Sequence, residues 1–213
     1  MPFGRIDIVQ TAYLLVGLMI ALTIHEFSHA LVAYRLGDRT AKVQGRLTLN
    51  PIAHLDPLGT IMMVWMAIGG FGLGWAKPVP VNPFNIRGMD PRAAMALVSL
   101  AGPTSNLILA TLVALLLRGA IETGTLTIVW PFELGFRIVQ VNVIIAIFNL
   151  IPIPPLDGFG VLLGILPHTL AAQLAPLERY GPFILLFVLF FGFGIVRTIL
   201  STFATPILNA LLG

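Results

Sequence analysis

An all-α polytopic membrane protein is the fold class this sequence predicts, and three observations predict it. Of 213 residues, 57% are hydrophobic and 10% charged, whereas a soluble domain carries about 25% charged residues. Long apolar runs recur, and the first has no charged residue from Ile8 to Ile24. Lys and Arg gather in the connections between such runs, as they do in cytoplasmic loops. The expected architecture is a helical bundle with re-entrant or short-strand elements, forming a single integral-membrane domain over residues 1–213. The formal charge of +3 suits loops facing anionic lipid and makes no case for nucleic acid. The chain has no cysteine, which excludes disulfides, thiolate metal sites and cysteine nucleophiles.

Residues 7–35 read as the first span, long enough for about 30 Å of hydrocarbon. The run leads straight into ionisable residues and has no convincing small-residue cleavage site, so it is not read as a signal peptide. Residues 35–57 are polar and basic, with Arg35, Arg39, Lys42 and Arg46. Alternation over Ala41–Leu49 predicts short strands, and Asn50-Pro51 a turn. Residues 58–75 are apolar but short and end rich in glycine. Loop 76–92 is again basic, with Lys77, Arg87 and Arg92. If both flanking loops are cytoplasmic, 58–75 cannot cross once, so a re-entrant or hairpin element is expected there.

Residues 93–117 form a second span, interrupted at Gly102-Pro103-Thr104-Ser105-Asn106. Residues 118–137 read as a loop on the opposite face, with Trp130 as an interfacial residue. A third span covers 138–151. Pro152, Pro154 and Pro155 then forbid a regular helix, just before Asp157-Gly158. Residues 159–180 read as interfacial, and 181–196 begin a further aromatic-rich span with lipid-facing phenylalanines. Residues 198–213 extend that span, turn back or lie on the surface.

Inside the first run stands His25-Glu26-Phe27-Ser28-His29. On a helix, residues four apart share a face, so both imidazoles can grip one metal ion. Glu26 lies about 100° further round, beside the metal, where it can act as general base on a water molecule. A chance motif is the alternative. In lipid, however, each ionisable group costs about 2.5–3.5 kcal/mol on insertion scales, and three in one turn need a reason.

Catalytic zinc usually has three protein ligands. Among the nine acids, Asp38, Asp56, Asp90, Glu122, Glu133 and Glu178 fall in loops with basic neighbours. Asp7 starts the first span, and Glu26 is needed as base. Asp157 remains, at the end of an apolar span. Its alternative role is to cap the segment that follows.

Three motifs together resemble the site-2 protease family of intramembrane zinc metalloproteases. They are His25-Glu26-x-x-His29, Gly102-Pro103-x-x-Asn106, and Asn149-x-x-Pro152-x-Pro154-x-Leu156-Asp157-Gly158. The resemblance covers residues 20–160, and the last motif is the most specific. It implies a three-span catalytic core, one Zn2+ per chain held by His25, His29 and Asp157, and Glu26 as catalytic base. The implied substrate is the membrane segment of a single-span protein. The chain lacks the span often found before the motif helix and has no room for a PDZ or CBS domain, so recruitment through such domains is not expected.

Asn106 and Asn149 could hydrogen-bond an unwound substrate or polarise its scissile carbonyl; otherwise each makes an interhelical bond, worth about 0.6–2 kcal/mol. Asn149 could also steady the bend before Asp157. His54, in the Asn50–Pro57 turn, could support the transition state or be a plain interfacial histidine. A substrate helix must unwind before attack, and segments near Asn50 and Pro152 could offer it strand-like partners. The basic loop after the motif helix puts the active site toward the cytoplasm, in the cell membrane.

Two other classes compete. A transporter of ions or protons would show paired acids along several spans and repeat symmetry, and neither is seen. A non-catalytic metal-binding scaffold would keep its role without Glu26. The oligomeric state is not legible.

Overall fold

The computed structural model describes residues 7–69, 74–125 and 129–213. Helix α1 (Ile8–Arg35) has 28 residues, about 42 Å at 1.5 Å per residue. Asp7 caps it, accepting from the Val9 and Gln10 N–H groups. Its buried face is made of small residues, including Gly17, Ala21, Ala30 and Ala33. Helix α4 (Pro91–Glu122) buries Ala94, Ala96, Ala110 and Ala114. Helix α5 (Val129–Asn149) completes a three-helix core with α1 and α4. Small residues suit this setting, because in lipid helices associate by close backbone approach and not by hydrophobic expulsion.

Several boundaries differ from the sequence expectation. The second span is not interrupted at Gly102-Pro103. Helix α4 runs through Pro103 and has 32 residues. Proline costs the Ser99 carbonyl its helical donor and crowds it, but neighbouring helices can tolerate such a break inside a bundle. The connection over 118–137 is far shorter than expected, because α4 continues to Glu122 and α5 begins at Val129. Residues 126–128 lie outside the described residues.

No strand occurs among the described residues, apart from a single antiparallel bridge between Leu55 and Ala76. The alternation over Ala41–Leu49 is overridden by local hydrogen bonding. The Asp38 carboxylate accepts from the Thr40 N–H and hydroxyl, which starts the short helix α2 (Thr40–Val43). Gly45, at φ +69°, ends that turn. Asn50 caps a 3-10 turn (Pro51–His54), and residues 150–156 form bends and turns. Neither segment presents the strand expected as a substrate partner.

The short apolar segment is a hairpin, as expected. Helix α3 (Pro57–Ala67) has 11 residues, about 16 Å and so about half the hydrocarbon thickness. Asp56 caps it through the Gly59 N–H at 2.8 Å. The chain then returns. The Lys77 N–H donates to the His54 carbonyl at 2.8 Å, beside the Leu55–Ala76 bridge. Gly74 lies so close to Met63 that a Cβ would come within 2.0 Å of its side chain. Both ends of the segment therefore meet on one face. The tip, 70–73, is outside the described residues.

After the bends, α6 (Asp157–Ile165) packs along α4. A Cβ on Gly160 would sit 2.3 Å from Ser99 Oγ, and one on Gly164 2.3 Å from Ala96 Cβ. Residues 157–165 are thus part of the bundle and not an interfacial segment. Helices α7 (His168–Leu174) and α8 (Gly181–Phe191) follow. The chain bends at Gly192 into α9 (Phe193–Leu212). Helix α9 returns along α4 and α5, from Val196 near Ile151 and Leu156 to Ala204 near Ala110 and Val139. Arg118 Nη2 reaches the Ala210 carbonyl at its far end, 2.8 Å away. So 198–213 turns back into the bundle. Phe187, Phe190 and Phe191 remain exposed on the outer surface, as lipid-facing residues do. Among the described residues, five helical stretches are long and apolar enough to cross a membrane: α1, α4, α5, His168–Phe191 and α9.

Candidate metal centre

His25 and His29 lie on the face of α1 that meets α4, and both are buried. Their ring centroids are 4.6 Å apart with planes at 84°. Asp157 arrives from the other side, at the first turn of α6. Gly158 makes this possible: a Cβ there would come within 2.2 Å of the Leu150 carbonyl, so only glycine lets the turn fold back on the end of α5. The Asp157 carboxylate makes no capping bond to α6. Its Oδ2 lies 3.0 Å from His25 Nε2 and 3.4 Å from His29 Nε2. These three residues form the candidate metal-holding group among the described residues.

Hydrogen bonding decides the tautomers. Asn106 Nδ2 donates to the Ala21 carbonyl at 3.0 Å and to Asn142 Oδ1 at 2.7 Å. Its Oδ1 therefore faces His25 Nδ1, 2.7 Å away, and that nitrogen must carry the proton. His29 Nδ1 faces the Val98 carbonyl at 2.7 Å and must donate too. With both protons on Nδ1, each Nε2 presents a lone pair inward.

The site therefore fits a metal ion on this chain's own geometry. Two nitrogen lone pairs face one carboxylate oxygen, at 3.0 and 3.4 Å. Asp157 Oδ2 is buried without a hydrogen-bond donor, and a buried acceptor left so is costly. A cation among them turns repulsion into coordination. Donors of a tetrahedral zinc stand about 3.3 Å apart, close to both observed separations. Gly102 supplies the space: a Cβ there would lie 2.5 Å from His29 Nε2 and 2.6 Å from His25 Nε2. With no cysteine present, a nitrogen–oxygen donor set of this kind suits zinc.

Glu26 stands beside this group, and its Oε2 accepts from the Val79 N–H at 3.1 Å. Pro78 and Pro80 flank Val79 and have no N–H, so Val79 carries the sole backbone donor of that triplet. The returning limb of the hairpin thus meets the motif helix at its carboxylate. That limb is tied down by Arg46, whose buried guanidinium donates to the Lys77 carbonyl.

The other candidates fall outside the donor group. All three bonds of Asn106 stay within the bundle, so its amide holds His25 and is not free for substrate. Asn149 donates to the Ile145 carbonyl of its own helix at 3.0 Å, just before the bends that lead to Asp157. His54 is 1% exposed and its Nε2 meets the Thr48 carbonyl at 2.8 Å. It braces the 48–54 turn. Asn142 was not singled out by sequence. It alternates with valines in Val139-Gln140-Val141-Asn142-Val143, and it is fully buried here and bonded to Asn106. The Val98 carbonyl and the Val79 N–H carry no side-chain signal at all.

Comparison with known proteins extends the likeness beyond the motifs. The chain is 43% identical over 203 residues to a Bacillus subtilis protein named "Putative zinc metalloprotease YwhC", covering 93% of this chain and 86% of that relative. Proteins named "Putative zinc metalloprotease Rip2" are also similar. The one from Mycolicibacterium smegmatis is 34% identical over 169 residues, 78% of this chain and 61% of its own length. The one from Mycobacterium tuberculosis H37Rv is 35% identical over 176 residues, 82% of this chain and 64% of its own. No family model matches the chain, and no solved structure matches it. A likeness that runs through the whole membrane core, motif helix, proline break and Asp157 included, shows that this chain belongs to the site-2 protease family of intramembrane zinc metalloproteases.

Proposed function

We propose that the protein hydrolyses peptide bonds within or near the membrane segment of a single-span membrane protein, with one zinc ion held by His25, His29 and Asp157 and with Glu26 as general base. The observation that carries this reading is the convergence of two Nε2 lone pairs and an undonated carboxylate oxygen inside a bundle of membrane-spanning helices. Zinc in such a site polarises the scissile carbonyl and lowers the pKa of water to about 7.

The chain's own residues supply the rest. Asn106 and the Val98 carbonyl hold the two imidazoles in the tautomer that turns Nε2 inward. The Val79 N–H holds one oxygen of Glu26, which leaves the other to take a proton from water and pass it to the leaving nitrogen. The substrate backbone has to unwind locally, because a helical carbonyl is already bonded within its own helix.

Charge supports a cytoplasmic active site in the cell membrane. The basic loops 35–57 and 76–92 meet: the Arg87 N–H donates to the Leu36 carbonyl at 3.0 Å, and the Asn82 N–H to Asp38 at 2.7 Å. They hold Arg35, Arg39, Lys42, Arg46, Lys77, Arg87 and Arg92, and such loops face the cytoplasm.

The test is Glu26→Gln in protein loaded with zinc and offered a library of single-span segments. The parent should cleave and stop when chelated. The variant should keep its zinc yet cleave slower by about 10²–10⁴, the contribution of a general base. Cleavage at the parental rate by zinc-loaded Glu26→Gln would remove Glu26 from this role.

A further inference from the structure

A cavity of about 680 Å³ opens where α1 leaves the membrane span, away from the His25–His29–Asp157 group. Arg35, Arg39 and Arg87 line it, with Tyr34, Phe84 and Asn85. None of the three guanidiniums has a hydrogen-bond or ion-pair partner among the described residues. The acids nearest in sequence, Asp38 and Asp90, are engaged elsewhere: Asp90 caps α4 through the Arg92 and Ala93 N–H groups. Asp38 is fully buried, and its oxygens already accept from Thr40, Asn82 and Asn85. All three side chains are exposed, so their donors are open to an anion that enters the cavity.

The backbone that carries these exposed side chains is held in place. Asp38 ties the end of α1 to α2 and to the turn at Pro83–Asn85. Gly37, at φ +109°, brings the chain within 3.2 Å of the Asn85 carbonyl at its would-be Cβ. The Arg87 N–H closes the other side on the Leu36 carbonyl at 3.0 Å. Planar guanidiniums bind phosphate oxygens in pairs. Phe84, 92% exposed, and Tyr34 also line the cavity. Tyr34 stands in the last turn of α1, and a tyrosine at the end of a span belongs in the headgroup layer.

We propose that this cavity binds the phosphate headgroup of an anionic phospholipid, with Arg35, Arg39 and Arg87 as its ligands. The phosphate chemistry is shared with free phosphate. Tyr34 and the position at the end of a span favour the lipid.

The test is native mass spectrometry of the full chain in detergent, titrated with phosphatidylglycerol, phosphatidylcholine or inorganic phosphate. Phosphatidylglycerol should bind in preference to phosphatidylcholine, more weakly as salt rises. Each of Arg39→Gln and Arg87→Gln should weaken it about fivefold, and Arg35→Gln/Arg39→Gln/Arg87→Gln together about a hundredfold, at the cost usual for one basic group near an anionic surface. Zinc content should stay at the parental level in all of them, which reports that each variant is folded. Undiminished phosphatidylglycerol binding in the single variants would overturn the proposal. So would inorganic phosphate displacing the lipid at equal concentration.

Discussion

Asn106 illustrates how much of this site lies one bond behind the donor atoms. Its oxygen holds His25 Nδ1 at 2.7 Å, while its amide nitrogen is held by Ala21 and Asn142. Replacing it by Leu keeps the size and removes all three bonds. His25 then loses the acceptor that keeps its proton on Nδ1. Partners of this kind are worth about 10–100-fold in metal affinity. Asn106→Leu should therefore weaken zinc binding by about that factor, measured by competition with a chelator of known affinity. Asn142→Leu, which only loosens Asn106, should weaken it less. Equal zinc affinity in Asn106→Leu and parent would show that the tautomer is set by something else.

At the scale of elements, the hairpin and its neighbours predict which loops share a face. The ends of the 57–75 segment meet at Leu55 and Ala76, so 35–57 and 76–92 lie together. Helix α4 carries the chain away to Glu122. Single cysteines at Val43, Met89 and Glu122, all exposed, can be introduced into this cysteine-free chain. A membrane-impermeant thiol reagent should label the first two from one face and the third from the other. Opposite labelling of 43 and 89 would mean that 58–75 crosses after all. The same loop layer has a pH signature through Asp38, which joins α1, α2 and the turn at Pro83–Asn85. Burial alone would raise its pKa, but hydrogen bonds from Thr40, Asn85 and the Asn82 N–H outweigh burial and hold it below the ordinary value of 3.8. A depressed folded pKa means that its stabilisation is present above that ordinary value and fades as pH falls through the folded one. The stability difference between parent and Asp38→Asn, followed by thermal melting, should be constant from pH 7 to about pH 5 and shrink below about pH 4.

For the whole molecule, the three donors join parts of the chain far apart in sequence. His25 and His29 belong to α1, and Asp157 follows the breaks after α5. An ion bound there ties the first helix to the later half of the bundle and favours the folded state by mass action. At a free zinc concentration 100 times the Kd, the gain is about 2.7 kcal/mol. Chelation should therefore lower the melting temperature of the parent, and zinc should restore it. Asp157→Ala should melt near the chelated parent and respond little to zinc. A parent whose melting temperature ignores chelator while zinc is demonstrably lost would separate the metal from fold stability.

The chemistry of the donor set was legible in the sequence because it rests on local spacing. Two histidines four apart on a helix must share a face, and an acid after a proline break in an apolar chain has few other uses. The hairpin over 58–75 was legible for a similar reason, since charge on both flanks forbids a single crossing. The alternation over Ala41–Leu49 misled, because an Asp38–Thr40 hydrogen bond outweighs pattern in so short a piece. The length of α4 misled as well: proline is a breaker in water, but a bundle can hold a helix together across it. The tautomers, the Glu26–Val79 bond and the arginine cavity were beyond any reading of the chain in order. Each depends on a backbone or amide group brought in from another element, and backbone N–H and C=O groups are the same in every residue but proline. The sequence alone determined which side chains can hold a metal; the packing of α4 and the hairpin's returning limb against α1 decided which lone pairs face inward and which carboxylate oxygen stays free.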